Sequence, residues 1–303
     1  MQGISENTLT GPRDCNFGCL MNNKVGLLIL ILLLRFSVPA AAGPLDDASL
    51  AHDRRDYATE LRLLQPLADR GDPQAQYNLA VLYRCGCGVP RDEKEMNRWW
   101  AKAAVGWREA ADRGDAAAQY HLGYMYEYGL GLKEDDVEAV SWFRKSADQG
   151  YVSAEYNLGA TAERGWGVPK NEAEAARWYR KAADHGDIVS QLSLGGLYEH
   201  GHGVLQDYVE AARWYRKAAD QGDAQAQARV GWMYEIGRGV PRDYLAAYMW
   251  FNLAGAHAEP AFRWDEASRT EWSAVEDRDR IAAKLTPAQI AEAQRLSREW
   301  TAK

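Results

Sequence analysis

The chain has 303 residues, of which 47% are apolar and 26% charged, so it has the proportions of a globular protein with room for a large core or a long repeat array. Its formal net charge of −7 argues against a nucleic-acid partner, because binding to phosphate is carried by excess Lys and Arg. Four Cys in such a length do not make a disulfide framework. The 12 Trp and 16 Tyr outnumber the 5 Phe, which suits half-buried helix seams where a ring has one apolar and one polar end.

At the amino end, Lys24 precedes the uncharged run 25–34. That run is shorter than the roughly 20 residues a bilayer-spanning helix needs. Arg35 follows, then Pro39 and Ala40-Ala41-Ala42-Gly43. A basic start, a short apolar run and a small-residue end read as a secretory signal peptide over 21–42, with the mature chain beginning at Gly43. Met21 is then the natural start, and 1–20 an upstream extension or a misassigned start. Arg35 keeps the second reading open, an uncleaved anchor. Cys15 and Cys19 lie before the apolar run, where no lipid anchor is expected.

Beyond residue 43 the chain is periodic. Gly-Asp occurs at 71–72, 114–115, 186–187 and 222–223, with Gly150-Tyr151 in register. Trp142, Trp178, Trp214 and Trp250 recur every 36 residues. So do Gly129, Gly165, Gly201 and Gly237, and two places on, Gly131, Gly167, Gly203 and Gly239. Tandem repetition of this length signals stacked supersecondary units. Five full copies follow, at 72–114, 115–150, 151–186, 187–222 and 223–258, after an amino-terminal half-copy at 47–71.

The copy at 187–222 shows how one unit is built. Leu194, Gly195 and Tyr198 have helical spacing, and Gly195 lets a neighbour approach closely. Gly201 ends that helix, since glycine reaches the left-handed region cheaply. Asp207 is placed to cap a second helix, whose stripe is Ala211, Trp214, Tyr215, Ala218 and Ala219. Gly222 closes it. One such hairpin cannot bury its apolar face, so copies must stack.

The pattern Ala-x₃-Leu-Gly-x₂-Tyr-x₂-Gly-x-Gly, then Asp, then Ala-x₂-Trp-[Tyr/Phe], resembles the Sel1-like repeat, a relative of the tetratricopeptide repeat. Ala118, Leu122, Gly123, Tyr126, Gly129, Gly131, Asp135, Ala139, Trp142, Phe143, Ala147 and Gly150 carry the resemblance in one copy. Ala226, Gly231, Tyr234, Gly237, Gly239, Asp243, Trp250, Phe251 and Ala254 carry it in another. It implies an all-α, right-handed α/α solenoid of about five helix-hairpin repeats over 47–258, and a role like that of adaptors in signalling or in extracytoplasmic assemblies.

The departures are local. The first copy carries seven extra residues near 105–111, close to two helical turns, so its second helix lengthens without turning its buried face. Ala162 replaces the Tyr of the third copy. Residues 259–303 are not a repeat. There, 271–285 and 287–300 read as two amphipathic helices, the second started by Thr286, Pro287 and Gln289, and together they would cap the stack.

Cys85 and Cys87 flank Gly86 in the first interhelix loop. They read as a redox pair, as free thiols or as an intermolecular link. Zinc is not expected, because two Cys are half a site. His200 and His202 hold the same places in the fourth copy, where other copies have Tyr128 and Leu130, Arg164 and Trp166, and Ile236 and Arg238. That variety reads as surface substitution. No nucleophile elbow, zincin or phosphate-loop pattern occurs, so no enzyme, cofactor, metal or small-molecule substrate is expected.

The resemblance to tetratricopeptide arrays implies that first helices line a concave groove. One row of that face is Tyr77, Tyr120, Tyr156, Leu192 and Ala228, and a second is Val81, Tyr124, Ala160, Gly196 and Trp232. A third holds Glu127, Glu163, Glu199 and Glu235, after Arg84. Two readings compete: an aromatic groove with an acidic ladder for a basic peptide, or a ladder paired with Arg144, Arg180 and Arg216 of the second helices. The expectation is a non-enzymatic scaffold or regulator, periplasmic or secreted from a Gram-negative bacterium, whose partner is another protein. It would meet a membrane only through that partner or an uncleaved signal. A structural part of cell-envelope or exopolysaccharide machinery is the alternative, and a cell-wall-related enzyme the remotest.

Overall fold

The computed structural model describes residues 43–257 and 273–301. The signal-peptide reading and most of the segment between the repeats and the last two helices lie outside the described residues. Among the described residues there are 14 helices and no strand. None of these helices is long and apolar enough to cross a membrane.

The chain forms two compact units that divide at Lys145 and Ser146. The first holds α1 (Pro44–Asp53), α2 (Tyr57–Asp69), α3 (Pro73–Cys85), α4 (Glu93–Asp112), α5 (Ala116–Tyr128) and most of α6 (Asp136–Ala147). The second holds α7 (Val152–Arg164), α8 (Glu172–Asp184), α9 (Ile188–His200), α10 (Tyr208–Asp220), α11 (Ala224–Ile236), α12 (Tyr244–His257), α13 (Ala274–Ala282) and α14 (Pro287–Thr301). Where a half-copy was expected at the amino end, there is a helix pair, α1 and α2, with Leu64 fully buried.

Local chemistry sets the ends. Gly86, Gly129, Gly165, Gly201 and Gly237 close the first helices in the left-handed conformation. The Gly-Asp pairs work as a hinge and a cap. Gly186 turns at φ +93°, and the Asp187 carboxylate accepts from the Ser190 amide at 2.7 Å. Asp207 does the same for α10, accepting from Val209 and Glu210 amides at 2.8 and 3.1 Å.

The second glycine of each loop has a different task. At Gly203 (φ +68°) a Cβ would lie 2.2 Å from the carbonyl carbon of Glu172, at the start of α8. At Gly239 it would lie 1.9 Å from the Tyr208 oxygen, at the start of α10. At Gly131, in the first unit, it would lie 2.3 Å from the Ala101 nitrogen of α4. The loop backbone rests directly on the backbone of the preceding copy's second helix.

The helical glycines pack an aromatic ring of their own copy. A Cβ on Gly195 or Gly159 would lie 2.6 Å from the ring of Tyr215 or Tyr179, and one on Gly123 2.7 Å from Phe143. Between copies, a recurring glutamine reaches back. Gln76 and Gln119 donate to the Ala68 and Ala111 carbonyls at 2.9 and 3.1 Å, and Gln191 and Gln227 to Ala183 and Ala219 at 3.1 and 3.3 Å. Copy three has Glu155 there, which is buried and meets His185 at 3.0 Å.

The insertion lengthens α4 to 20 residues, against 13 for α8 and α10. Trp100, Ala103, Ala104, Trp107 and Ala111 are all buried, so the extra two turns keep one stripe facing inward. At the other end, Ile281 and Ala293 of the last two helices bury against Ala247, Tyr248 and Phe251 of α12. Thr286 and Gln289 start α14 as a reciprocal cap, amide to side chain at 2.9 and 3.3 Å.

The Trp107 ring stacks on His121, centroids 4.5 Å apart, and burial lowers the His121 pKa to about 4. The folded state therefore resists a proton that the unfolded chain takes up near pH 6.5. Stability is unaffected above that pH and falls as pH drops from 6.5 toward 4, by about 1–3 kcal/mol. His52 acts in the opposite sense. Its hydrogen bond to Glu60 raises its pKa, so its stabilisation is complete below the unfolded value and fades as pH rises through the folded one. Melting His121→Leu beside the parent at pH 7 and 5 isolates the first effect, and the variant should lose less stability on acidification. An equal loss in both would show that His121 does not drive it.

Candidate functional site

The expected groove residues fall into two groups. Tyr77, Tyr120 and Tyr124 are 9%, 4% and 2% exposed, so they belong to the interior of the first unit and not to an open surface. The Tyr77 ring lies 5.5 Å from that of Trp107, Tyr120 is 5.9 Å from Phe143, and Tyr124 is 4.6 Å from Tyr128. Burial pushes the Tyr77 hydroxyl up to about 12 and that of Tyr124 further up. Trp107 of α4 and Phe143 of α6 close over Tyr77 and Tyr120, and the first-helix tyrosines Tyr120 and Tyr128 close over Tyr124.

The second unit is more open. Tyr156 is partly buried, 5.8 Å from Tyr179, and Leu192 and Trp232 are partly buried as well. Arg238 sits over the Trp232 ring at 5.6 Å. One copy before Trp232 in its row stands Gly196, where a Cβ would meet only the Tyr215 hydroxyl, at 3.7 Å. The adjacent Gly195 has no such room. Two neighbouring glycines on one helix thus meet the same residue differently, Gly195 pressed against the Tyr215 ring and Gly196 only at van der Waals distance from its hydroxyl.

The acidic row is also reassigned. Glu163 accepts from the Tyr179 hydroxyl at 2.8 Å and Glu199 from Tyr215 at 2.7 Å, within the same hairpin. Glu199 is 6% exposed and Glu235 is 8% exposed. Glu235 lies in a copy with Phe251 at that place, and it pairs with Arg280 and, at 3.5 Å, with Lys284. Glu127, likewise opposite a Phe copy, is 4% exposed. Neither an exposed ladder nor pairing with the second-helix arginines describes Glu163 or Glu199. Arg180 and Arg216 go elsewhere. Arg180 lies over Tyr198 and Trp214 at 5.6 and 5.4 Å, and Arg216 lies over Trp250 at 4.6 Å while bonding Asp220 at 2.8 Å. The W-[Tyr/Phe] pair was the signal for both roles: Trp takes an Arg from the copy before, and Tyr gives its hydroxyl to the Glu.

The loop pair is joined: Cys85 and Cys87 form a disulfide with Cα atoms 5.3 Å apart. Cys85 is partly exposed, and Cys87 is buried at 4%. His200 and His202 stack at 5.5 Å in the matching loop, with His200 Nδ1 3.0 Å from the Gly196 carbonyl. Among the described residues, no group of three or more His, Cys, Asp or Glu is placed to hold a metal.

Comparison with known proteins agrees with this architecture. The Sel1 repeat profile matches residues 73–104, 116–151, 152–187, 188–223 and 224–258. A Sel1 repeat protein from Oxalobacter formigenes is 33% identical, with a TM-score of 0.52 over 70% of this chain and 85% of that one. A protective antigen of uropathogenic Escherichia coli with an SLR fold is 29% identical, with a TM-score of 0.42 over 86% of this chain and 61% of that one. An immunity protein from Pseudomonas aeruginosa is 18% identical, with a TM-score of 0.46 over 73% and 83%. No curated protein matches the chain. With five repeat matches over more than half its length, the chain belongs to the Sel1 repeat family.

Proposed function

We propose that this chain is a non-enzymatic scaffold or regulator that works outside the cytoplasm and binds another protein through the first-helix face of its second unit. Sel1 repeat proteins generally mediate protein–protein interaction. The extracytoplasmic location rests on the signal-peptide pattern at 21–42. The observation that supports the binding face is the open position at Gly196, in the repeat row that holds Trp232, with Leu192 and Tyr156 of the other row partly exposed as well. A partly buried Trp with a cation over its ring, in the same repeat row as an open glycine position, has the makeup of an interface hot spot.

Gly196→Arg separates binding from folding. Glycine in a helix interior is the weaker helix former, and the Cβ has room, so the variant should melt no lower than the parent. It should nevertheless reduce capture of the partner from a native envelope extract, by roughly 10-fold or more, as should Trp232→Ala. Partners retained by the parent are identified by mass spectrometry. Undiminished capture by both variants would remove this face from consideration.

A further inference from the structure

We propose that Cys85 and Cys87 form a thiol–disulfide exchange site that takes a small thiol at Cys85, not a structural crosslink. The position of the bond is the first argument. It joins residues two apart, around the left-handed Gly86 (φ +74°) that already ends α3. A disulfide stabilises a fold more the longer the loop it closes, growing with the logarithm of its length, and this loop is close to the shortest that can exist.

The matching loops supply the second argument. Gly165 and Gly201 adopt φ +78° and +75°, close to Gly86, and bring their own flanking side chains together with no covalent bond. Arg164 lies 4.7 Å over the Trp166 ring, and the His200 and His202 rings are 5.5 Å apart. The backbone hydrogen bonds also repeat: Gly86 and Cys87 amides donate to the Leu82 carbonyl at 2.9 and 3.1 Å, as Gly201 and His202 do to Leu197 at 2.9 and 3.0 Å. The turn makes the proximity, and the sulfur–sulfur bond is added to it. Breaking that bond leaves the loop intact.

The third argument is the asymmetry of the pair. Cys87 is 4% exposed and fills the place that Leu130 fills, also at 4%, in the next copy. Cys85, at the end of α3, is open enough for a nucleophile to reach. A thiolate such as that of glutathione attacks Cys85 Sγ. A new sulfur–sulfur bond forms there, the Cys85–Cys87 bond breaks, and Cys87 leaves as a thiolate that takes a proton. A second glutathione thiolate attacks the glutathione sulfur of this mixed disulfide. Cys85 then leaves as a thiolate and is protonated in turn. Two glutathiones are oxidised to their disulfide, and the protein pair gains the two electrons and two protons.

The test uses the protein with Cys15→Ser and Cys19→Ser, so that only residues 85 and 87 report. Reduced glutathione should convert the pair to a dithiol, counted by alkylation and mass spectrometry, with the helical circular dichroism unchanged. Adding Cys87→Ser should leave a Cys85 that oxidised glutathione modifies at least ~10-fold faster than it modifies Cys87 in the Cys85→Ser protein, because reactivity follows access. Denaturant should abolish that difference. Loss of helical signal on reduction would make the bond structural and overturn the proposal. Equal native rates at the two cysteines would overturn it as well.

Discussion

Gly203→Ala and Gly239→Ala are expected to destabilise the second unit by about 2–5 kcal/mol each, from a left-handed residue with a Cβ at about 1–2 and overpacking at about 1–3. The geometry explains the size. Each Cβ would sit on peptide atoms of the preceding second helix, at 2.2 and 1.9 Å, and backbone cannot rotate aside as a side chain can. Gly222→Ala is the matched control. Its φ is also left-handed, at +93°, but nothing lies within 4 Å of the added carbon. It should show the conformational penalty alone, about 1–2 kcal/mol. Urea unfolding of the three variants measures the difference. If Gly222→Ala is as destabilising as Gly203→Ala, contact between the loop and the preceding helix is not what makes the second glycine necessary.

Trp214→Ala should cost about 3–5 kcal/mol, the range for a large aromatic removed from a packed interior. The ring is 4% exposed and packs with Tyr179, Leu194 and Leu197. Arg180 and Lys217 lie over it, at 5.4 and 3.8 Å, so its loss also leaves two cations without their ring. Repeat arrays are held by neighbour interfaces, so the variant should unfold in two steps, with the copies on either side of the break separating first. Trp178→Ala should be milder, although it holds the same place one repeat earlier. Trp178 is only partly buried, and its copy has Ala162 where Tyr198 helps to cover Trp214. Thermal melts followed by tryptophan fluorescence and circular dichroism distinguish the two, and equal losses would rule out a role for the missing tyrosine.

The family and the helix order were legible because a repeat multiplies weak local signals. A single Gly-x-Gly means little, but five in register define a hairpin end. The caps were legible for a related reason. Asp207, Thr286 and Gln289 act on amides within three residues, so short-range sequence carries the whole interaction. The length of the insertion in α4 was readable too, since seven residues are nearly two turns and keep the stripe aligned.

What sequence spacing could not decide was which partner each repeated side chain meets, because that depends on how helices from different parts of the chain are set against one another. The Glu row and the Arg row share a period of 36, and opposite charge suggested that they pair. Packing instead gives Glu163 and Glu199 to tyrosine hydroxyls and Arg180 and Arg216 to tryptophan faces. Tyr124 and Trp232 occupy one repeat position, yet the first is interior and the second partly exposed, because the rings around them differ. The glutamines that bond back to the preceding copy carry no mark in the sequence, since a buried Gln reads like a surface Gln. The helix-ending glycine was predictable from its own φ, whereas the second glycine is required by a backbone some 31 residues earlier, Gly203 resting on Glu172, and only the tertiary structure places that backbone against it.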